Sequence, residues 1–223
     1  KVLRLANSPF YGFPSRIASV AHAVVVLGLN VVKGLTLCAT AFDMMRNAGM
    51  NELWRHSLGV AMTAHILGTK AAMKNPEEVF VAGLLHDIGK VVLYVKWPDV
   101  GQQITTVTRN TSRPLMDTEQ ELFEVTHADV GGWLASAWHL PTSLREPILH
   151  HHTPAAAQDA KLQTAIVHVA DVLVKGLACG NPGDDLVPPL SRQAWDLVGL
   201  DAQSLAHCLT QATEELQTID DYL

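Results

Sequence analysis

Apolar residues recur every three to four positions along almost the whole chain, which is the periodicity of helices packed on a core. The pattern predicts helices over the following ranges: 19–27, 31–46, 52–73, 77–96, 99–109, 117–138, 143–151, 160–178, 191–198 and 202–218. No stretch alternates apolar and polar residues between hairpin turns, so no β-sheet is expected. The sequence therefore predicts an all-α fold, a bundle of many helices.

Glycine and proline residues that interrupt the helical pattern indicate how the chain is divided. The stretch Gly180–Ser191 (GNPGDDLVPPLS) is the clearest loop, and it sets a C-terminal helical piece apart. The chain begins at Lys1, already inside an apolar-periodic segment, so we expect the N-terminal part to be truncated at its start. We divide the chain into an N-terminal helical part (1–50), a helical core (51–180) and a C-terminal loop with helices packed on the core (181–223).

Composition narrows the class of protein. The 223 residues are 48% hydrophobic and 17% charged, which suffices for a large core, and the formal charge of −6 argues against a nucleic-acid-binding surface. Cys38, Cys179 and Cys208 are too far apart for a disulfide framework or a CxxC zinc pattern. The longest apolar run, Ala23–Val32, is too short to span a bilayer. We expect a cytoplasmic protein that engages neither DNA nor membrane.

One segment imitates a DNA-binding helix–turn–helix. Residues 21–42 read AHAVVVLG, LN and VVKGLTLCATAF, which is two apolar helices around a short turn. A recognition helix needs polar and basic side chains to read bases and phosphates. The second helix offers Lys33 and little else, so we interpret it as core packing.

The first chemical signal is the dipeptide His86–Asp87 inside LLHDIGK. An ionised carboxylate in such apolar surroundings costs several kcal/mol unless a charge or a metal ion compensates it. Adjacent residues on a helix point ~100° apart, so His86 can bind one ion while the two oxygens of Asp87 bridge to a second. A capped or solvent-facing pair is the ordinary alternative for this dipeptide.

Further coordinating residues lie in other apolar helices. The chain has 11 histidines, and His56, His127, the run His150–His152 and Asp171 stand in or beside apolar segments. Each has a structural alternative. These are a hydrogen-bonded core histidine for His56, a polar residue at a helix N-terminus for His127, a solvated turn for His150–His152 and a half-exposed helix face for Asp171. Taken together, five separate helices each supply a coordinating group, which predicts one metal-binding site in the core.

The order H…HD…H…HH…D resembles the HD superfamily of metal-dependent phosphohydrolases, and within it the HDOD branch. The resemblance covers almost the whole chain and rests on these segments: VLRLANSPFYG, IASVAHAVVVLGLNVVKGL, LWRHS, AGLLHDIGK, THADVGGWLASAWHLP and ILHHHTP. It implies an HD-type multi-helix bundle with its metal site in the core.

Similarity to the HD-GYP phosphodiesterases of the same superfamily implies a ligand set. One ion would be held by His56, His86, Asp87 and Asp171, and the other by Asp87, His127, His151 and His152, with Asp87 bridging. The family's histidine pair directly precedes a short x-Pro turn, which selects His151 and His152 over His150. His65 and His168 lie off the family pattern, and we expect supporting or surface roles for them.

Two further residues match family positions. Lys90 corresponds to the lysine of the HDxGK motif, which contacts substrate phosphate, so the resemblance assigns Asp87 and Lys90 as catalytic. Glu52, one helical turn before His56, falls where a third-metal ligand occurs in some HD-GYP proteins. Its alternative is an exposed carboxylate favoured by the dipole of a first helical turn.

The expected chemistry follows from these ligands. Nitrogen and oxygen donors without thiolate suit Fe, Mn, Zn or Ni, and we expect two divalent ions, Fe or Mn before Zn or Ni. Two such ions would acidify water and hold phosphoryl oxygens, which predicts hydrolysis of a phosphorylated small molecule, a nucleotide or a cyclic nucleotide.

The sequence also departs from the catalytic relatives. The GYP stretch is absent and the chain reads TPAAAQDA after the histidine run, which removes the reason to expect cyclic di-GMP as the substrate. Many HDOD domains are thought to be signalling or scaffold modules. The alternative function is therefore a non-catalytic, metal-stabilised module that binds a signalling partner or a ligand.

Overall fold

A computed structural model describes residues 16–217 together with Leu3 and Asn7. Within these residues the secondary structure consists of α-helices and one short 3₁₀ turn, with no strand, so the all-α prediction is confirmed. The helices are α1 (Val20–Leu27), α2 (Leu29–Asn47), α3 (Asn51–Lys70), α4 (Pro76–Leu85), α5 (Ile88–Lys96), α6 (Pro98–Thr111), α7 (Leu115–Phe123), α8 (His127–Ala137), α9 (Thr142–His150), α10 (Lys161–Gly176), α11 (Arg192–Val198) and α12 (Ala202–Leu216). The 3₁₀ turn spans Pro154–Ala156. The segment VLRLANSPFYG lies outside the described residues except for Leu3 and Asn7.

The predicted helix 77–96 is interrupted at the His86–Asp87 dipeptide. Helix α4 ends at Leu85 and α5 begins at Ile88, with Asp87 at φ −98° and ψ 15° between them. Helix α5 restarts with the Lys90 amide, which donates to the Asp87 carbonyl at 3.0 Å. The prediction of one continuous helix is therefore wrong. His86 and Asp87 occupy a break, and this break lets both side chains turn toward the same interior point.

The predicted helix 117–138 is also two helices. Helix α7 ends at Phe123 and is followed by Glu124, whose φ of 55° is left-handed, and α8 begins at His127. Thr126 and Asp129 form a capping box in which each side chain accepts from the other's backbone amide. This cap satisfies the free amides of the first turn, so it fixes His127 as the first residue of α8.

Helices α3, α4 and α10 form the centre of the molecule, and each packs on the other two. The α3–α4 contact is close because Gly83 has no side chain: a Cβ there would lie 2.8 Å from the Cα of Ala61. Helix α9 packs on α4, α8 and α10, and α12 covers the outer side of α3. The division at residues 50 and 180 stays a prediction.

Helix α2 buries a long apolar stripe that includes Val32, Leu35 and Met45. These side chains belong to the central hydrophobic core, which confirms the interpretation of α2 as core packing. Between residues 16 and 217, no helix is at once long and apolar enough to cross a bilayer.

The start of α5 lies directly against the start of α8. A side chain at Gly89 would collide with the His127 carbonyl, and the Gly131 amide lies 2.8 Å from the same position. Glycine therefore permits a close approach of two backbones. This approach brings His127 beside Asp87.

Candidate metal centre

The predicted ligands converge in the interior in two separate triads and in a third group, His86, Asp87 and His151, that connects them. The carboxylate triad consists of His56, His86 and Asp171, and the histidine triad consists of His127, His151 and His152. Within each triad, one possible ligand atom per residue lies within 4.8 Å of the others. Helices α3, α8 and α10, the α4–α5 break and the end of α9 supply these residues, so elements distant in sequence form one cluster.

Asp87 lies between the two triads. Its Oδ2 is 3.3 Å from His86 Nε2 and 4.0 Å from His56 Nε2. Its Oδ1 is 3.3 Å from His127 Nε2 and 3.7 Å from His151 Nε2. Each oxygen of one carboxylate thus faces a different triad, which is the arrangement expected of a carboxylate that bridges two cations.

Backbone carbonyls fix the orientation of two of the imidazoles. His86 Nδ1 donates to the Gly83 carbonyl at 2.6 Å, and His151 Nδ1 donates to the Ile148 carbonyl at 3.0 Å. Both bonds reach back three residues. They hold the proton on Nδ1 and leave Nε2 free to bind a metal on the cluster side.

Glu119 on α7 is a site residue that the sequence analysis did not find. It is buried, and its Oε2 accepts from both the amide and Nδ1 of His127, at 2.8 and 2.6 Å. A carboxylate behind a metal-binding imidazole orients the ring and strengthens it as a donor. Glu119 lies eight residues before His127, on another helix and among other glutamates, so no periodicity linked the two.

His168 supports the site from behind, which agrees with one of the two roles expected of it. Its Nδ1 donates to the His151 carbonyl at 2.7 Å, and its Nε2 accepts from the Ser191 amide at 3.0 Å. His168 therefore links the first residue before α11 to the backbone of the histidine triad.

Lys90 is buried beside the bridging carboxylate. Its Nζ lies 2.7 Å from Asp87 Oδ2, and only 3% of the residue is exposed. Burial opposes the charge of the lysine, but Asp87 outweighs burial and raises the Lys90 pKa. In this structure Lys90 contacts Asp87, and its contact with substrate phosphate stays a prediction.

Electrostatics favours neutral imidazoles around ionised carboxylates. Burial lowers the pKa of His56, His151 and His152, which keeps these rings in the form that binds metal. His127 differs: burial opposes its charge, but Glu119 raises its pKa.

The two aspartates of the cluster are held ionised. Burial would raise the pKa of Asp87, but His86 and Lys90 hold it well below its usual range. Burial likewise opposes the ionisation of Asp171, and His56, whose Nε2 lies 3.0 Å from Asp171 Oδ1, outweighs it. Anionic oxygens and neutral imidazole nitrogens are together a donor set for divalent cations.

Unpartnered polar atoms also fit a cation. The buried atoms without a hydrogen bond include Nε2 of His86, Nε2 of His151 and Oδ1 of Asp87. Nε2 of His56 and Oδ1 of Asp171 lie 3.0 Å apart but form no aligned hydrogen bond. An unsatisfied buried polar atom costs about 1–3 kcal/mol, and here several converge on one place. Three buried carboxyl groups, those of Asp87, Asp171 and Glu119, face the single ammonium of Lys90 within the described cluster. The residues present therefore can hold metal, and the ion's identity and number belong to the proposal below.

His150 and Glu52 lie outside the metal-binding groups. His150, which we placed outside the ligand set, belongs to none of these groups. Glu52 lies in the first turn of α3 with its side chain exposed, and it joins no metal-binding group among the described residues. Its role as a third-metal ligand stays a prediction.

Known proteins match this chain in sequence and in fold. An uncharacterized protein of Treponema pallidum (strain Nichols) is 25% identical over 191 residues, which are 83% of this chain and 37% of that protein. The chain therefore spans little more than a third of that relative's length. A solved HDOD domain protein of unknown function from Geobacter sulfurreducens is 27% identical with a TM-score of 0.78, over 100% of this chain and 80% of that one. A proposed phosphohydrolase from Shewanella amazonensis SB2B, 23% identical with a TM-score of 0.67, covers 98% and 79% and shares the fold.

The family model of the HDOD domain matches residues 1–154. This range includes the helix break at His86 and the turn at His151 that follows α9, and it ends before Asp171. The match covers more than half of the chain, and the structure presents the fold and the clustered histidines on which the resemblance rested. The chain belongs to the HDOD domain family.

Proposed function

We propose that this chain is a metal-dependent phosphoester hydrolase domain of a signalling protein, with two divalent ions at the cluster. The carboxylate triad and Asp87 would hold one ion, and the histidine triad and Asp87 would hold the other. The observation that carries the proposal is the placement of Asp87, whose two oxygens lie 3.3 Å from imidazole nitrogens of different triads. We propose Fe or Mn, with Zn or Ni as alternatives, since the donors are nitrogen and oxygen.

Divalent ions held there would supply Lewis acidity, the positive charge that polarises a phosphoryl group and acidifies nearby water. The chain's own residues prepare the site for this charge. Glu119 fixes the His127 ring, and the carbonyls of Gly83 and Ile148 fix His86 and His151, so the ligands need little reorganisation. Burial of the cluster excludes bulk water and strengthens each electrostatic interaction.

Lys90 would serve the same reaction from the side of Asp87. Its ammonium is buried and held at 2.7 Å from Oδ2, so it adds a fixed positive charge at the edge of the cluster. A phosphate that reaches the cluster would meet this charge. We therefore propose Asp87 and Lys90 as catalytic residues and a phosphorylated small molecule, nucleotide or cyclic nucleotide as the substrate.

A second function competes with hydrolysis: a metal-stabilised module that binds a signalling partner or ligand without turnover. The Lys90–Asp87 contact favours it, because an ammonium already occupies one face of the bridging carboxylate. The burial of the cluster favours it too. His152 alone among the triad residues is more than marginally exposed.

Metal analysis and an activity screen on one preparation separate the two functions. Protein purified without added metal is analysed for bound ions and assayed anaerobically on phosphodiesters and phosphomonoesters. Two equivalents with turnover support the hydrolase, and two equivalents without turnover support the module. Asp87→Asn should lose both ions and the activity, whereas Asp117→Asn, an exposed aspartate on α7, should lose neither. An Asp87→Asn variant that keeps metal and activity contradicts the proposal.

A further inference from the structure

Residues 180–191, which we call the strap, form a loop without regular secondary structure between α10 and α11. The strap hydrogen-bonds to segments that carry or orient predicted metal ligands. These bonds lie near its start, at its fifth residue and at its last residue, and they involve Asn181, Asp184 and Ser191. The strap is thus attached to the surroundings of the metal cluster at three separate points.

The first attachment is to the start of α3. The Asn181 amide donates to the Glu52 carbonyl at 3.2 Å. Gly180, at φ 69°, lies so close to the His56 amide that a side chain there would collide with it. Residues 181–183 also line a cavity of about 620 Å³ that they share with the start of α3 and with α6. This part of the strap is therefore fixed to the backbone of a predicted ligand and has open space beside it.

The second attachment is to the start of α7. The Asp184 Oδ2 accepts from the Leu115 amide at 2.9 Å, although the two residues are 69 positions apart in the chain. The residue before α7 is Pro114, whose side chain makes no capping hydrogen bond, so Asp184 supplies the acceptor that a capping residue would give. One turn further along α7, Glu119 accepts from His127 Nδ1 at 2.6 Å. Asp184 therefore fixes the helix whose glutamate orients a predicted ligand.

Lys175 connects the same carboxylate to α10. Its Nζ lies 3.2 Å from Asp184 Oδ1, and the two side chains are only 8% and 7% exposed. Lys175 follows the predicted ligand Asp171 by four residues, which is about one helical turn. Removal of one partner from a buried ion pair leaves the other charge without compensation. Asp184 is thus held by α10 through one oxygen and holds α7 through the other.

The third attachment is at the last residue of the strap. The Ser191 amide donates to His168 Nε2 at 3.0 Å, and His168 Nδ1 donates to the His151 carbonyl at 2.7 Å. The Ser191 hydroxyl accepts from the Ala194 amide and so caps α11. A single imidazole therefore joins the predicted ligand His151 to the residue at which α11 is capped.

We propose that the strap couples the histidine triad to α11, with Asp184 and His168 as positioning residues. A cation that fixes His127 and His151 also fixes the backbone to which the strap is attached. Since coupling between two sites is reciprocal, release of the strap loosens the cation of the histidine triad. This inference rests on the proposed metal site and adds a means of regulating it.

Calorimetric titration of the full chain with Mn²⁺ tests one direction of the coupling. Asp184→Asn should weaken one of two ions about fivefold or more, the lower range of couplings between sites, and leave the other unchanged. In a Glu119→Gln background it should have little further effect, because both changes act through His127. Asp185→Asn is the matched control, since Asp185 is exposed in the same strap and accepts from the Asn181 side chain. It should leave both affinities unchanged.

Hydrogen exchange measures the reverse direction. Mn²⁺ should slow amide exchange in the strap of the wild type about fivefold or more, by the same coupling. His168→Phe should abolish this protection, because its ring has no nitrogen to join Ser191 to His151. Asp184→Asn should reduce it as well, so misfolding of one variant leaves the other as the test. Bound Mn²⁺ that leaves strap exchange unchanged would overturn the inference.

A purely structural role of Asp184 predicts a different result. The free energy of unfolding would fall, while the affinities for both ions would fall equally or stay as in the wild type, and either result overturns the inference. A wild type that binds no Mn²⁺ contradicts the metal proposal, and metal-free protein then decides on the strap. There, Asp184→Asn should speed exchange in residues 115–130 and Asp185→Asn should not. Equal exchange in the two variants would mean that the strap does not position the helices of the site.

Discussion

The carboxylate triad and the histidine triad differ in their burial and in the parts of the fold that supply their residues. The carboxylate triad has all three residues within 2% exposure, and two of them stand inside the central helices α3 and α10. The histidine triad is built from helix ends, the first residue of α8 and the turn after α9, and His152 in it is half-buried. His127 and His151 are as buried as the carboxylate triad, so His152 forms the partly exposed rim of the histidine triad.

The negative charge of a carboxylate is placed differently in the two triads. In the carboxylate triad the anion, Asp171, is itself a proposed ligand, and its Oδ1 lies 3.0 Å from His56 Nε2. In the histidine triad the anion, Glu119, stands behind a proposed ligand, because it accepts a hydrogen bond from Nδ1 of His127. We therefore expect the carboxylate triad to hold its cation more tightly, and the histidine triad to exchange its cation and to face the substrate.

Chelation should produce the largest effect and should separate the triads in time. We expect a chelator to remove the histidine-triad ion first and the other ion slowly, because His152 is the reachable side chain. Loss of each ion should lower the free energy of unfolding by about 4 kcal/mol at metal concentrations 1,000-fold above Kd. Chromogenic chelator kinetics and urea unfolding measure the two quantities. Release of both ions in one step would contradict this difference between the triads. A free energy of unfolding that the chelator leaves unchanged would contradict it as well.

The stabilities of the Asp171→Asn and His152→Asn variants, compared in metal-free protein, test which triad belongs to the core. The first variant replaces a buried carboxylate whose pKa His56 holds well below its usual range, and the weakened charged contact should cost about 1–3 kcal/mol. The second changes a half-buried side chain and should cost under about 1 kcal/mol. Urea unfolding at neutral pH gives both values, with Asp117→Asn as the exposed control. Equal losses in the two variants would remove the distinction between core and rim.

Glu119→Gln should affect the histidine triad alone. The amide cannot replace the carboxylate behind His127, so we expect the affinity for one of two ions to fall about 10–100-fold. The other ion should bind as in the wild type. Glu121→Gln, a change at an exposed residue of the same helix that pairs with Arg113, is the control. Metal titration that shows both ions weakened equally would mean that Glu119 acts on the whole fold.

The sequence predicted which His and Asp residues converge better than it predicted the geometry that joins them. Asp87 and the apolar helices around it made a metal site expected, because a buried carboxylate requires compensation. The break at His86 carried no proline, and neither Asp87 nor Gly89 was taken as a helix boundary, so the helix was predicted to continue through it. The break at Thr126 did carry a signal, a capping box with Asp129, which helical periodicity over 117–138 obscured.

Contacts between distant helices could not be predicted at all. Glu119 reaches His127 only after α7 folds back on α8, and its sequence neighbours Glu121 and Glu124 offer the same carboxylate. The cavity lined by α6 and the turn at 181–183 likewise joins segments that are far apart in the chain. Periodicity and motif order report on local structure, whereas these features arise from tertiary packing.

The smallest expected effect concerns the connection between the triads. Glu146 on α9 accepts hydrogen bonds from the amides of Gln158, Asp159 and Ala160, the segment that leads from His152 into α10. Burial opposes its ionisation, but these amides outweigh burial and lower the pKa of Glu146. A carboxylate with a lowered pKa stabilises the fold above its unfolded pKa and loses that contribution as the pH falls through its folded value.

Glu146→Gln should therefore destabilise the metal-free protein by about 1–2 kcal/mol at pH 7, because charged hydrogen bonds become neutral ones. The difference from the wild type should shrink as the pH falls below about 4, the ordinary pKa range of glutamate, where the wild-type carboxyl is protonated as well. Urea unfolding at a series of pH values measures this, with the exposed Glu214→Gln as the control. A destabilisation that stays constant with pH would mean that Glu146 acts through the packing of its side chain and not through its charge. The carboxylate charge would then not be what fastens the rim of the histidine triad to the core helix that carries Asp171.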